Sequence, residues 1–301
     1  MKLWSKLRKS TFFNAVGKLI TASALSQLIS FISAFFWVRF YSPSEFGEFA
    51  TVLAVSAVLS IIASGRYELA IMNPDDHAEA QKIANLAKLL SVFFCIILLP
   101  VMTLVYWSLG STDIALPFYF VLIIPALTFV QNRYQILVKW SNRNKNYSGI
   151  ATSAVVLASS VGMLQILFGS MGGAAISLCL AYLMGMIMAI IVLASSDHGE
   201  LRLRDNYLKG NHFIRILKQY RDFPILSMPQ GIISKGSAAL PIILTASFFS
   251  LESAGFLALT RRVLNKPINL VATNVGLVYH QQLAERSKRS PSSLYNYSKK
   301  L

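Results

Sequence analysis

Residues 146–196 form a run of 51 positions without a single charged side chain. An ordinary soluble domain is about 25% charged, so a run of this length has no place on a water-facing fold. A helix needs about 20 apolar residues to cross the hydrocarbon core of a bilayer. The run therefore has room for two such helices. The FGSMGG stretch at 168–173 supplies the turn between them, because glycine tolerates the backbone of a tight reversal. Four more charge-free windows lie at 19–38, 49–65, 89–112 and 114–132. Two further apolar stretches, about 223–249 and 254–283, reach spanning length but contain bases. The reading is an all-α polytopic membrane protein of eight spans. With 54% hydrophobic and 14% charged residues over 301 positions, a soluble globular enzyme and a disordered tail are both excluded.

The chain carries 28 Lys and Arg against 13 Asp and Glu, a net charge of +15. In a soluble protein this excess would point to nucleic acid. Placing the bases on the spans gives a different account. With the N-terminus inside, segments 1–18, 66–88, 131–145, 197–222 and 284–301 share one side and hold 23 bases. The loops on the other side hold one, Arg39. The positive-inside rule fixes orientation from far smaller asymmetries. The charge therefore encodes topology: a cytoplasmic N-terminus, basic cytoplasmic loops and contact with anionic membrane lipids. No nucleic-acid partner is expected.

Enzymatic chemistry finds little support. Cys95 and Cys179 each lie in an apolar run, no CxxC occurs, and the four histidines, His77, His198, His212 and His280, are far apart. HExxH, GxSxG, GxxxxGK and GxGxxG are all absent. No acid pair stands at catalytic spacing inside an apolar segment. No catalytic residue, metal site or cofactor is expected. The first apolar run is too long for a signal-peptide core and no small-residue cleavage site follows it, so it is expected to be retained as a helix.

A constant offset of 208 residues relates two loop segments. Residues 41–50 read YSPSEFGEFA and residues 249–258 read FSLESAGFLA, which aligns Ser42 with Ser250, Gly47 with Gly255 and Ala50 with Ala258. The same offset aligns Ser26 with Ser234. Six crossings separate spans one and seven, so both start on the same side. This is the pattern of a parallel repeat about an axis along the membrane normal, an architecture in which transporters bind substrate between the halves. The expected domains are an N-lobe over 1–208 with six spans and a partial C-lobe over 209–301 with the first two helices of the repeat. About four further helices would complete the second lobe.

Polar groups in the last two spans mark a candidate site. At 1.5 Å per residue, Arg262 lies roughly 12 Å from a helix start near 254, Lys266 roughly 18 Å, and Lys235 roughly 16 Å from the opposite face. All three come near the midplane of a ~30 Å core, where a base costs about 2.5–3.5 kcal/mol and persists when it faces a cavity or partner. No acid lies in these spans. Arg262, Asn265, Lys266, Asn269 and Thr273 fall on one helical stripe, interrupted by Pro267. Span one carries a milder stripe, Ser23, Ser26, Gln27, Ser30 and Ser33. Span seven carries Ser227, Gln230, Ser234 and Ser237 near Lys235, with Pro224, Pro229 and Pro241 as kink points. Hydroxyl stripes have two readings, cavity lining and close helix–helix contact. Arg261 and Arg262 also have two, inside span eight or in an outer loop ahead of it, and the charge asymmetry favours the first. The expected site is a cationic cavity of Lys235, Arg262 and Lys266. Its polar lining is expected from Ser26, Gln27, Gln230, Ser234, Asn265 and Asn269. Such a cavity suits an anionic cargo, most simply a phosphate or diphosphate.

The stretch FYSPSEFGEFA at 40–50, followed by SGRYELAI at 64–71, resembles the start of the bacterial O-antigen and exopolysaccharide flippases. These belong to the multidrug/oligosaccharidyl-lipid/polysaccharide exporter superfamily. YRDFP at 220–224, SAGFLALTRR at 253–262 and VYHQQLA at 278–284 are similar to the same family. The resemblance covers nearly the whole chain. It implies two lobes of six or more helices and alternating access. It also implies an undecaprenyl-diphosphate-linked oligosaccharide as cargo, carried across the bacterial inner membrane, with polysaccharide polymerase and chain-length machinery as candidate partners. By position, Arg66, Lys235, Arg261 and Arg262 match the basic residues that meet the diphosphate in that family. Arg66 and Glu68 also read as an interfacial ion pair. Two rival functions stand beside this one: a cation-coupled small-molecule exporter of the same superfamily, and a non-transporting membrane partner of a polysaccharide assembly complex.

Overall fold

The computed structural model of the chain describes residues 2–109, 117–196, 211–262 and 264, with side chains described over 17–108, 117–196, 215–262 and 264. Among these residues every regular element is helical. The order is α1 (Lys2–Phe40), α2 (Pro43–Ala63), the single turn α3 (Tyr67–Ala70), α4 (His77–Leu109), α5 (Phe120–Arg143), α6 (Tyr147–Ser170), α7 (Ala175–Ser196) and α8 (Asn211–Gln219). A π-helical turn, Phe223–Ser227, then runs directly into α9 (Met228–Phe248). A compact unit extends over Met1–Leu259 and closes with helical residues 251–259, here α10; a second unit begins at Thr260.

Seven described helices are long and apolar enough to cross a bilayer: Gly17–Phe40, Pro43–Ala63, His77–Ser108, Phe120–Arg143, Tyr147–Ser170, Ala175–Ser196 and Phe223–Phe248. The chain is an all-α polytopic membrane protein, as its charge-free windows indicate. The expected eighth span falls largely outside the described residues, as does the boundary expected at 208/209.

The helices outrun the charge-free windows. α4 starts at His77 and α5 continues to Arg143, so Lys82, Lys88, Arg133 and Lys139 are helical positions and not loop bases. Lys and Arg are good helix formers, and a helix continues past the edge of the hydrocarbon. A search for missing charge finds only its embedded part. α2 likewise begins earlier than the charge pattern suggests. Ser42 caps it, Glu45 closes a capping box back onto the Ser42 amide (2.8 Å), and Pro43 takes the first helical position. Glu45 and Glu48 lie in the first two turns of α2, where the helix dipole favours an acid. Tyr119 donates its hydroxyl proton to Glu48.

The α6–α7 hairpin forms where the glycines place it. α6 ends at Ser170, Gly172 takes φ +78°, and α7 starts at Ala175. At the other end Asn146 caps α6 through Gly149 N–H (3.0 Å) and donates to Ser196 at the end of α7 (3.0 Å to Oγ). Within the hydroxyl stripe of α1, Ser33 packs against α6. Ser26, Ser30 and Ser33 each donate to the carbonyl four residues back, and Ser33 faces α6 at Gly162, where a Cβ would fall 2.4 Å from its Oγ.

Two apolar clusters hold the ends of the bundle. Trp37, Phe46, Phe49, Val52, Ile124, Leu127 and Leu178 gather near the α1–α2 loop. Tyr67, Ile71, Ile83, Leu86, Ile136, Trp140 and Ile216 gather at the far end of α2, with α8 laid over them. α4 instead turns Phe93, Ile96, Ile97, Leu104 and Trp107 outward. In water this face would be a large exposed apolar patch, whereas in a bilayer it meets acyl chains.

The two segments related by the 208-residue offset lie against each other. A Cβ on Gly47 would fall 1.8 Å from the Leu251 carbonyl oxygen, and a Cβ on Gly255 would fall 1.8 Å from the Pro43 carbonyl oxygen. Residue 47 maps to 255 and residue 43 to 251 under the same offset. The contact is therefore reciprocal, the signature of a local two-fold axis between α2 and α10. Both glycines are required because backbone faces backbone, and no side chain can swing away. Gly47→Val and Gly255→Val should each destabilise the protein by about 1–3 kcal/mol or more through overpacking. Thermal unfolding in detergent would show a lowered midpoint for both and a smaller effect for Gly17→Ala, where a Cβ meets nothing.

Candidate functional site

α2 ends at Ala63, and the chain reverses through two consecutive left-handed residues, Gly65 (φ 57°) and Arg66 (φ 64°). A left-handed conformation costs a residue other than glycine roughly 1–2 kcal/mol, so Arg66 is held there by its surroundings. Tyr67, next in the chain, is buried in the cluster beneath α8 and donates its hydroxyl to the Leu217 carbonyl (3.3 Å). Burial raises the Tyr67 pKa, which keeps the phenol protonated and a donor. With Tyr67 anchored, Arg66 is turned toward α9.

The Arg66 guanidinium lies on bare α9 backbone. A Cβ on Gly231 would fall 2.4 Å from Arg66 Nη2 and 2.6 Å from Nε. Arg66 Nη1 pairs with Glu68 Oε1 at 3.5 Å, and Ser64 donates its hydroxyl to the other Glu68 oxygen at 2.5 Å. The Glu68 side chain is 6% exposed and that of Arg66 25%. Arg66 Nε is buried without a hydrogen-bond partner among the described residues.

Lys235 follows Gly231 by one helical turn and shares its face of α9. Together with Arg66 it lines an open cavity of about 440 Å3 whose walls come from α2, α3, α5, α6, α7 and α9. α5 contributes Gln131, Asn132, Tyr134, Gln135 and Lys139. Gln131, Gln135 and Lys139 are spaced four apart, one stripe of the helix. Neighbours hold this wall in place: Gln131 donates to Ser56 Oγ (3.2 Å), Asn132 to the Ser60 carbonyl (2.9 Å), and Tyr134 meets Ser153 Oγ (3.2 Å). The cavity thus presents three bases and one acid. The acid is committed to Arg66 and Ser64, whereas neither Lys139 nor Lys235 has an ion-pair or hydrogen-bond partner among the described residues. The balance is an anion-seeking pocket with amide and phenol groups around it.

The sequence-level candidates divide accordingly. Arg66 and Lys235 come together. Ser26 and Gln27 do not line the cavity: Ser26 bonds within α1, Gln27 donates to Ser23 Oγ (3.2 Å), and α1 packs on α6. Gln230 and Ser234 are exposed beside Gly231 and Lys235 and are not part of the wall. Arg261 and Arg262 belong to the second compact unit, helical at 260–262. Asn265, Lys266 and Asn269 lie outside the described residues. Lys139 and its polar stripe were missed because 131–145 read as a basic loop. The spacing of Gln131, Gln135 and Lys139 was the signal that would have found them.

Glu68→Ala would leave the half-buried Arg66 charge without its carboxylate. A loss of about 1–3 kcal/mol is expected from the unanswered hydrogen-bonding capacity, seen as a lowered unfolding midpoint. Lys139→Ala and Lys235→Ala remove charges without internal partners and should leave that midpoint within about 0.5 kcal/mol of the parent.

A family model described as polysaccharide biosynthesis protein matches residues 12–279. No curated protein and no solved structure matches the chain.

Proposed function

Because this chain belongs to the polysaccharide biosynthesis protein family, we propose that it translocates a lipid-linked oligosaccharide across a membrane and that the basic cavity receives the diphosphate of that lipid. The observation that carries the reading is the meeting of Arg66, Lys139 and Lys235 around one cavity with a single, already paired acid. A membrane protein keeps such charges where they face a water-filled path and a partner of opposite sign.

The cargo of this reading is an undecaprenyl-diphosphate-linked oligosaccharide, and the site is the bacterial inner membrane with the N-terminus in the cytoplasm. The chain acts as a transporter and not as an enzyme. Each contact between a base and a phosphate oxygen is a charge-assisted hydrogen bond of about 1.5–3 kcal/mol. Arg66 supplies geometry, since its fork is held by Glu68 and laid against Gly231. Lys139 and Lys235 supply mobile ammoniums that follow the phosphate as the path opens from one side to the other. The amides of Gln131 and Gln135 offer donors and acceptors to the sugar hydroxyls beyond the diphosphate. The family match supports polysaccharide assembly as the process, and O-antigen or exopolysaccharide is the product class of this reading.

Lys235→Ala and Lys139→Ala should each reduce surface polysaccharide strongly in cells that depend on this protein, with membrane levels of the protein unchanged; Arg66→Ala should reduce it as well and also lower the protein's level, because it strands the buried Glu68 carboxylate. Losing one base should weaken cargo binding roughly 10- to 100-fold. Lys218→Ala, on the exposed face of α8, should have no effect. Normal polysaccharide from all three cavity variants would overturn the assignment.

A further inference from the structure

A groove of about 520 Å3 runs along the seam between α2 and α9. Consecutive residues divide it from the basic cavity. On α9, Lys235 lines the cavity and Gly236 the groove; on α2, Ala57 lines the cavity and Val58 the groove. Successive residues of a helix point about 100° apart at nearly one depth. The two spaces therefore flank the seam at the same level, one turn past the Arg66–Gly231 contact. Along α9 the groove extends from Ile232 to Ile243, roughly 17 Å at 1.5 Å per residue, about half of a ~30 Å hydrocarbon core.

The groove wall is hydrocarbon. Ser237 is the one lining residue with a polar side chain, and its hydroxyl donates to the Ser234 carbonyl (3.0 Å). Ile233 and Leu240 are exposed along the groove. Gly236 leaves part of the wall bare, since a Cβ there would meet nothing among the described residues. A glycine inside a helix is less stable than an alanine. At Gly47, Gly231 and Gly255 the missing Cβ admits another backbone or the Arg66 guanidinium. At Gly236 the space is used by none of the described residues.

We propose that this groove seats the polyprenyl chain of the cargo, an inference that rests on the reading above in which the cavity takes the diphosphate. Such a lipid carries its charge at one end and branched hydrocarbon over the rest. The basic cavity suits the first part and the groove beside it suits the second. Bulk acyl chains are as apolar as the groove, so hydrophobicity alone gives no preference for it. The preference comes from close packing of the isoprene methyls against the bare backbone at Gly236. It also comes from the tether, because a diphosphate held at Lys235 raises the local concentration of its own chain at Gly236. Head and chain are joined across the α2–α9 seam, which parts to admit the cargo.

The test is photolabelling of the purified full chain in lipid nanodiscs by a polyprenyl diphosphate with a diazirine on its chain, the labelled peptides being read by mass spectrometry. Label is expected on α2 at 55–59 and on α9 at 232–243, and excess unlabelled polyprenyl diphosphate should compete it away. Gly236→Leu fills the groove. It should remove that label and weaken polyprenyl diphosphate binding roughly tenfold, with binding of inorganic pyrophosphate unchanged. Gly17→Leu, in an equally open place on α1, should change neither. Label confined to other helices, label that is not competed, or full polyprenyl diphosphate binding by Gly236→Leu would each overturn the groove. Absence of label from both helices, with Ile233→Cys shielded from a lipid-soluble maleimide, would show that another part of the chain or a second copy fills the groove and would overturn it too. In these cases pyrophosphate binding by the parent protein would leave the diphosphate site standing, whereas its failure to bind would overturn both.

Discussion

The Arg66 guanidinium resting on the bare backbone of α9 is the contact on which the candidate site depends. Three features of the chain converge on it. The left-handed pair Gly65–Arg66 turns the side chain, buried Tyr67 fixes the turn, and Gly231 removes the Cβ that would occupy the same space. Glu68 and Ser64 then hold one edge of the guanidinium. Through this contact the end of α2 and the start of α9 share one wall, and Lys235 is carried to the cavity by its place one turn past Gly231. A side chain at 231 would displace the Arg66 guanidinium from this seat on α9.

The bilayer explains the rest of the charge distribution. Outward faces are apolar, as on α4, and bases withdraw to cavities or to the hydrocarbon boundary. The amide of Asn132 answers the Ser60 carbonyl on one side and its oxygen accepts from Ser91 on the other. A residue buried in this way keeps α2, α4 and α5 in register. Its own amide group is thereby satisfied on both sides, as a low-dielectric interior demands.

Much of the fold was legible in the sequence. The charge-free windows located the spans, the glycines at 169, 172 and 173 located the α6–α7 turn, and the 208-residue offset located the reciprocal Gly47–Gly255 crossing. Helix ends were not legible from missing charge, because α4 and α5 carry Lys88, Arg133 and Lys139 on regular helix beyond or at the hydrocarbon edge. The site was legible in part. Arg66 stood in a motif and Lys235 stood alone in an apolar span, so both were conspicuous. Lys139 was hidden among loop-like charges, and Ser33 of the α1 stripe, which read equally as cavity lining, serves close packing against Gly162. A hydroxyl stripe looks the same in sequence for either purpose, and only the partner helix distinguishes them.

The central claim is that the cavity of Arg66, Lys139 and Lys235 recognises a lipid diphosphate. Its most direct test is a calorimetric titration of the purified protein in detergent with a short-chain polyprenyl diphosphate, beside the corresponding polyprenyl alcohol. The account predicts saturable binding of the diphosphate that weakens as salt is raised, and no comparable binding of the alcohol. Equal affinity for the two compounds, or diphosphate binding indifferent to salt, would contradict it.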